Sequence, residues 1–167
     1  MTRKRSRKRS GISSRLELPK LPPIYIDESL SQRFLPDALR AREVTVFVRA
    51  DKFAAGVTDP EWLTEAGRQK WIVLTKDKAI KRRPNELMAL LNSGVRAFVL
   101  AAGEMTGQEQ AELFVRILPK IRSYVADLGK GPFIVRVTKT GACEIVRPET
   151  TGRPHRVPKP RRKTRRS

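Results

Sequence analysis

The chain has 167 residues, 39% of them apolar, which suits one domain with a core of its own. Lys and Arg number 36 against 17 Asp and Glu, a formal net charge of +19, yet the apolar residues gather in periodic blocks, which excludes a wholly disordered chain. No apolar run approaches the roughly 18 residues of a membrane span, so no membrane-spanning segment is expected.

In chain order the first feature is charge. Residues 1–23 hold eight Lys/Arg and one acid, net +7, concentrated in Arg3-Lys4-Arg5-Ser6-Arg7-Lys8-Arg9. The polar, Pro-containing stretch after it lacks the hydrophobic segment of a secretory signal, so export by that route is not expected. Ile24-Tyr25-Ile26, closed by Asp27-Glu28, reads as a buried strand. Leu30, Phe34, Leu35, Ala38 and Leu39 recur at helical spacing and predict a helix near 30–42, with Pro36 close to its start. Val44–Val48 is a β-branched second strand, and Asp51–Thr58, with Gly56, reads as a loop. Thr58-Asp59-Pro60-Glu61 combines a capping box with a first-turn proline and starts a helix to about Gln69. Trp71–Thr75 is a third strand, followed by the basic stretch Lys76–Arg83. Pro84 opens a helix to about Asn92, which Gly94 ends; Val95–Leu100 is a fourth strand. Thr106-Gly107-Gln108-Glu109 repeats the capping pattern before a long helix with Leu113, Ile117, Ile121 and Val125 on one face and an expected kink at Pro119. Phe133–Val137 and Ala142–Val146, around Lys139-Thr140-Gly141, predict a terminal hairpin. Residues 147–167 carry nine Lys/Arg and one acid, net +8.

Three segments follow from this pass: a basic arm over 1–23, a domain over 24–146 of net charge +4, and a basic tail over 147–167. Both arms are self-repelling and almost free of large apolar groups, so disorder is expected there. Charge blocks of this kind condense onto phosphate backbones and release counterions; an acidic protein or a membrane surface is the other class of partner for them. In the domain, strand and helix alternate four times, which implies an α/β three-layer sandwich with a mainly parallel central sheet, plus the C-terminal hairpin. Ligands of such sheets sit beyond the carboxyl ends of the strands.

Acids stand at those ends. Asp27-Glu28 leave the first strand, Asp77 follows the third in Thr75-Lys76-Asp77, and Asp59 starts the helix after the second. The plain alternatives are a helix cap for Asp59 and for Asp27-Glu28, and a turn for Asp77. If the three aspartates converge, each like-charged pair at about 4 Å costs on the order of 4 kcal/mol at an effective dielectric of about 20. A divalent cation removes that repulsion. Cys143 is the only cysteine and His155 the only histidine, so neither an intrachain disulfide nor a Cys-based zinc site is possible, and oxygen ligands suit Mg2+ or Mn2+ instead. The single cysteine fits a reducing, cytoplasmic setting. Lys76, Lys78, Lys81, Arg82 and Arg83 are placed to hold flanking phosphates, although a charged loop is by default solvated surface. Ser29 and Thr75 can support a carboxylate by hydrogen bonding; neither has a histidine to activate it as a nucleophile. Trp62 and Trp71, beside apolar neighbours, read as core rather than as base-stacking platforms.

The strand ending in Ile26-Asp27-Glu28, the helix entry Gly56-Val57-Thr58-Asp59-Pro60-Glu61-Trp62 and the run Trp71-Ile72-Val73-Leu74-Thr75-Lys76-Asp77-Lys78 resemble the PIN domain, and more narrowly the compact PIN-like branch among VapC-type toxins of bacterial toxin–antitoxin pairs. The likeness spans roughly 24–146. It implies a metal-dependent ribonuclease in which Asp27, Asp59 and Asp77 hold Mg2+ or Mn2+, with RNA as substrate, an antitoxin as partner and a homodimer as a possible assembly. Many PIN nucleases carry a fourth acid shortly after the third; here Lys78, Lys81, Arg82 and Arg83 fill that stretch, and Glu28, or more weakly Glu86, is the candidate fourth carboxylate.

Two other functions compete. One is a non-catalytic RNA- or DNA-binding protein that uses the arms on an α/β scaffold. The other is a phosphoacceptor receiver domain, suggested by Asp27-Glu28 and the acid after the third strand, but without the lysine expected at a late strand end.

Overall fold

Short apolar runs without polar alternation bury both faces of a strand, and parallel strands need helical crossovers that supply the cover. The computed structural model describes residues 20–76 and 84–147 and contains both. The elements are β1 (Ile24–Ile26), α1 (Phe34–Arg40), β2 (Val46–Val48), α2 (Arg49–Lys52), α3 (Asp59–Arg68), β3 (Ile72–Lys76), α4 (Pro84–Asn92), β4 (Arg96–Leu100), α5 (Gly107–Leu128), β5 (Phe133–Val137) and β6 (Cys143–Val146). The sheet order is β2-β1-β3-β4-β5-β6. All neighbours are parallel except β5 and β6, which form the expected antiparallel hairpin. The mainly parallel α/β sandwich read from the sequence is therefore present.

Alternate strand residues divide the core in two. Ile24, Ile26, Ile72, Leu74, Phe98 and Leu100 pack with Leu35 and Leu39 of α1 and Leu113, Phe114 and Ile117 of α5. Tyr25, Val73, Ala97 and Val99 pack on the other face with Trp62 and Ala66 of α3 and Leu87 of α4. Trp62 and Trp71 are core residues, 5% and 7% exposed, and Tyr25 stacks on Trp62 with ring centroids 4.9 Å apart. None of the described helices is long and apolar enough to cross a membrane.

Local chemistry sets the boundaries. Thr106 caps its helix in a reciprocal box, its Oγ1 accepting from the Glu109 N–H (3.2 Å) while its own N–H lies 2.7 Å from the Glu109 carboxylate; at α3 the Glu61 carboxylate accepts from both the Thr58 N–H (2.7 Å) and the Thr58 hydroxyl (2.9 Å). Helix α1 begins at Phe34, later than the predicted 30, because Ser31 Oγ accepts from the Phe34 N–H (3.2 Å) and Leu30 is buried in the turn before it. The segment read as a loop from Asp51 begins inside α2. Tertiary contacts make this four-residue helix: Asp51 Oδ2 accepts from the Val48 N–H (3.0 Å) and lies 3.3 Å from Arg40. Helix α5 runs without a break from Gly107 to Leu128 across Pro119.

Gly67 in α3 is a close backbone approach. A Cβ there would lie 1.8 Å from the carbonyl oxygen of Ser93, just past α4. Alanine ordinarily stabilises a helix relative to glycine, by about 1 kcal/mol. Here Gly67→Ala forces two backbones apart, and a net loss of about 2–3 kcal/mol is expected in urea denaturation. A neutral or stabilising result would contradict this packing.

Candidate active site

The chain leaves β1 towards β2 on one side and returns to place β3 on the other, so the strand order reverses between β1 and β3. A crevice opens at such a switch point, beyond the carboxyl ends of the two strands. Asp27 stands there. Its N–H bonds the Leu74 carbonyl at 2.9 Å and carries the β1–β3 ladder one residue past the strand end. Its Oδ2 accepts from Ser29 Oγ at 2.5 Å and from Thr75 Oγ1 at 2.8 Å. Ser29 Oγ in turn accepts from the Lys76 N–H at 2.9 Å. Among the described residues, Asp27 Oδ1 takes no hydrogen bond. The supporting role read for Ser29 and Thr75 is thus a direct bond to the first strand-end acid.

The loop that carries this acid is braced from below. Gln32 donates to the Asp27 carbonyl (2.9 Å), and the buried Gln110 of α5 accepts from the Ser31 N–H at 2.8 Å. Gly107, at the start of α5, lets that helix approach: a Cβ would meet Ser31 Oγ at 2.7 Å. Nothing in the sequence patterning singles out Gln110 or Gly107 for this work.

Asp59 is the first residue of α3, and its Oδ1 accepts from Trp62 Nε1 at 2.9 Å. It therefore satisfies the indole of a core tryptophan and is fixed by it. Glu28 is different. It pairs with Arg49 (3.1 Å), whose other guanidinium nitrogen donates to the Val57 carbonyl. Arg49 escapes a reading of the strand ends that looks for acids alone; its place one residue beyond β2 is the signal that could have found it.

The four charged groups share one neighbourhood. The buried Tyr25 phenol is pushed up to about 12, first by burial and then by the negative field of Asp27, with Glu28 and Asp59 adding to it and Arg49 opposing. Among the described residues Asp27 and Asp59 bond neutral donors, hydroxyls and an indole, and neither forms an ion pair there. Asp77, Lys78, Lys81, Arg82 and Arg83 lie outside the described residues, and so does the side chain of Glu86. Lys76 is half-buried at the end of β3. Among the described residues no group of three or more His, Cys, Asp or Glu is arranged to hold a metal ion. The donors at the strand end, carboxylate and hydroxyl oxygens, are of the type that fits a hard divalent cation rather than zinc.

An open, mostly parallel sheet with an aspartate at its switch point and a second at a helix entry is consistent with a PIN-like α/β fold. Comparison with known proteins agrees with the resemblance: residues 22–102 match the family described as "PIN like domain". Over 124 residues the chain is also 27% identical to "Putative ribonuclease VapC45" of Mycobacterium tuberculosis (strain ATCC 25618 / H37Rv), an alignment that covers 72% of this chain and 88% of that protein. No solved structure matches significantly.

Tyr25 gives a pH test. In the unfolded chain a tyrosine ionises near 10, whereas here it waits until about 12. Above pH 10 the unfolded state therefore sheds the proton that the folded state keeps. Stability from this group is complete below pH 10 and declines as the pH rises towards 12. Denaturation of wild type and Tyr25→Phe across that range should give a shallower alkaline loss in the variant. Parallel curves would remove the buried phenol from the explanation.

Proposed function

We propose that this protein is an endoribonuclease that depends on Mg2+ or Mn2+ and serves as the toxin of a VapBC-type pair. Asp27, Asp59 and Asp77 would hold the ion, with Glu28 as the neighbouring fourth carboxylate. The observation that carries this reading is the Asp27 carboxylate at the switch point, with two hydroxyls on one oxygen and the other free of hydrogen bonds from the described residues. The name of the M. tuberculosis relative supports the same activity.

A carboxylate-held divalent cation supplies Lewis acidity toward a phosphodiester and lowers the pKa of a bound water. The chain does the rest. Ser29 and Thr75 donate to Asp27 and fix its orientation. Trp62 does the same for Asp59 from within the core. Lys76, Lys78, Lys81, Arg82 and Arg83 neutralise the phosphates on either side of the bond to be cut. No side-chain nucleophile is required. Residues 24–146 form the catalytic unit, and the arms over 1–23 and 147–167 bind the RNA backbone. The setting is the cytoplasm, the partners are an antitoxin that covers the acids and a second copy of this chain, and no membrane is involved.

Asp27→Asn should lower kcat/KM on single-stranded RNA by more than the roughly 100-fold that loss of a ligand's supporting bond costs, and Thr75→Val by about 10- to 100-fold. Chelation of divalent ions should silence the wild type. Circular dichroism should report an unchanged fold in both variants, and full metal-dependent cleavage by Asp27→Asn and Asp59→Asn would end the proposal.

The arms make a separate prediction. RNA affinity of the full chain should fall steeply between about 50 and 200 mM salt. The chain truncated to residues 24–146 should bind more weakly with a shallower salt slope and still cleave. A full chain that binds RNA without cleaving it, and loses that binding when the arms are removed, would put the non-catalytic nucleic-acid-binding reading in the nuclease's place.

A further inference from the structure

Asp27 and Asp59 come from different elements, and one ion can engage both only if the second is held near the first. β1 and β2 pair in parallel with Ile26 opposite Val48, so the residues just past each strand leave the same edge side by side. Glu28 departs from β1 and Arg49 opens α2. The Arg49 guanidinium forks. One nitrogen meets Glu28 Oε2 at 3.1 Å; another donates to the carbonyl of Val57, two residues before Asp59. The arginine side chain is only 23% exposed.

The segment it reaches is otherwise lightly held. A cavity of about 540 Å³, lined by Glu28, Arg49, Phe53 and Gly56, lies beneath residues 53–56, and a Cβ on Gly56 would touch nothing within 4 Å. Phe53 and Val57 pack against the aromatic core at one side of the segment. On the other side the guanidinium is the tie. Its own base is firm, because Asp51 accepts from the Val48 N–H and from Arg40, which also donates to the Val46 carbonyl at 3.2 Å.

We propose that Arg49 is the positioning residue of the acid edge, fastening the segment that delivers Asp59 to the strand exit that delivers Asp27, and engaging Glu28 as an anchor rather than as an ion ligand. This rests on Asp27 and Asp59 being the acids that hold the ion. Lysine cannot replace it, since an ammonium is a point donor and the task needs two nitrogens held apart in a rigid plane.

The test uses the full chain, Mn2+ alone as the probe, and the variants Arg49→Met, Arg49→Lys, Glu28→Gln and Asp27→Asn. Amide hydrogen exchange in the absence of metal should quicken across residues 53–62 in both Arg49 variants, with α5 unchanged. Mn2+ affinity should fall by about 10-fold or more in both, the scale of losing a ligand's support, while the melting transition moves little. Glu28→Gln should weaken Mn2+ far less than Asp27→Asn does. Unchanged exchange and affinity in Arg49→Met, full rescue by Arg49→Lys, or equal loss in Glu28→Gln and Asp27→Asn would each overturn the proposal. If Asp27→Asn binds Mn2+ as tightly as the wild type, the metal-site reading falls, and the exchange data alone then decide whether Arg49 holds the segment.

Discussion

The parallel pairing of β1 with β3 is the constraint on which the rest depends. Ile24, Tyr25 and Ile26 stand opposite Ile72, Val73 and Leu74, and the Asp27 N–H extends the ladder to the Leu74 carbonyl. That register makes Asp27 and Thr75 neighbours on the same face. A slip of one residue would turn Thr75 towards the opposite layer and expose half of each strand's apolar set to the wrong helices. The register is secured by burial on both faces, since all three residues of β1 and the first three of β3 are buried. Core packing and site geometry are therefore one specification. The hydroxyls reach Asp27 because the isoleucines and leucines have no other way to be covered.

The electrostatics of the edge run against the composition. Bases outnumber acids about two to one along the chain, so the common fate of an acid here should be an ion pair. Asp37, Asp51, Glu28 and Glu65 follow that rule. Among the described residues Asp27 and Asp59 have no such partner and are held by hydroxyls and an indole. Neutral donors orient a carboxylate without cancelling its charge, which leaves an anionic spot in a cationic protein. Arg49 supplies a counter-charge at one side, through Glu28, and its field is felt at Tyr25 together with those of the acids.

Much of this was legible in the sequence for identifiable reasons. Apolar runs bounded by acids or glycines gave the strands, the two Thr-x-x-Glu boxes gave the starts of α3 and α5, and Pro84 gave that of α4. Thr75 was readable as support because it stands two residues before Asp77 at a strand end. What escaped depends on contacts between distant residues. Helix α2 exists through Asp51 bonding Val48 and Arg40, and no propensity in four residues announces it. Gly67 looks like a weak point in a helix until Ser93 is placed against it. For Asp59, capping and ion-binding stood as rivals in the sequence. Its bond to Trp62 adds a third role compatible with ion-binding, because the indole occupies one oxygen and steadies the other.

That bond bears on how the acids are brought together at all. Gathering like charges costs several kcal/mol per pair at short range, and a surface loop would relieve it by swinging away. Here each acid is tied to something that cannot swing: Asp27 to the sheet through Leu74 and Thr75, Asp59 to the core through Trp62. The repulsion is thus opposed by burial energy spent elsewhere in the fold, on apolar surface worth about 25 cal/mol per Å². An edge built this way is arranged before any cation or phosphate arrives, and binding need not supply the ordering. On the proposed function, the basic arms and the acid edge divide the labour by range. Charge blocks draw a polyanion from a distance limited by screening, about 8 Å at physiological salt, while the carboxylates act only on what lies within bonding reach.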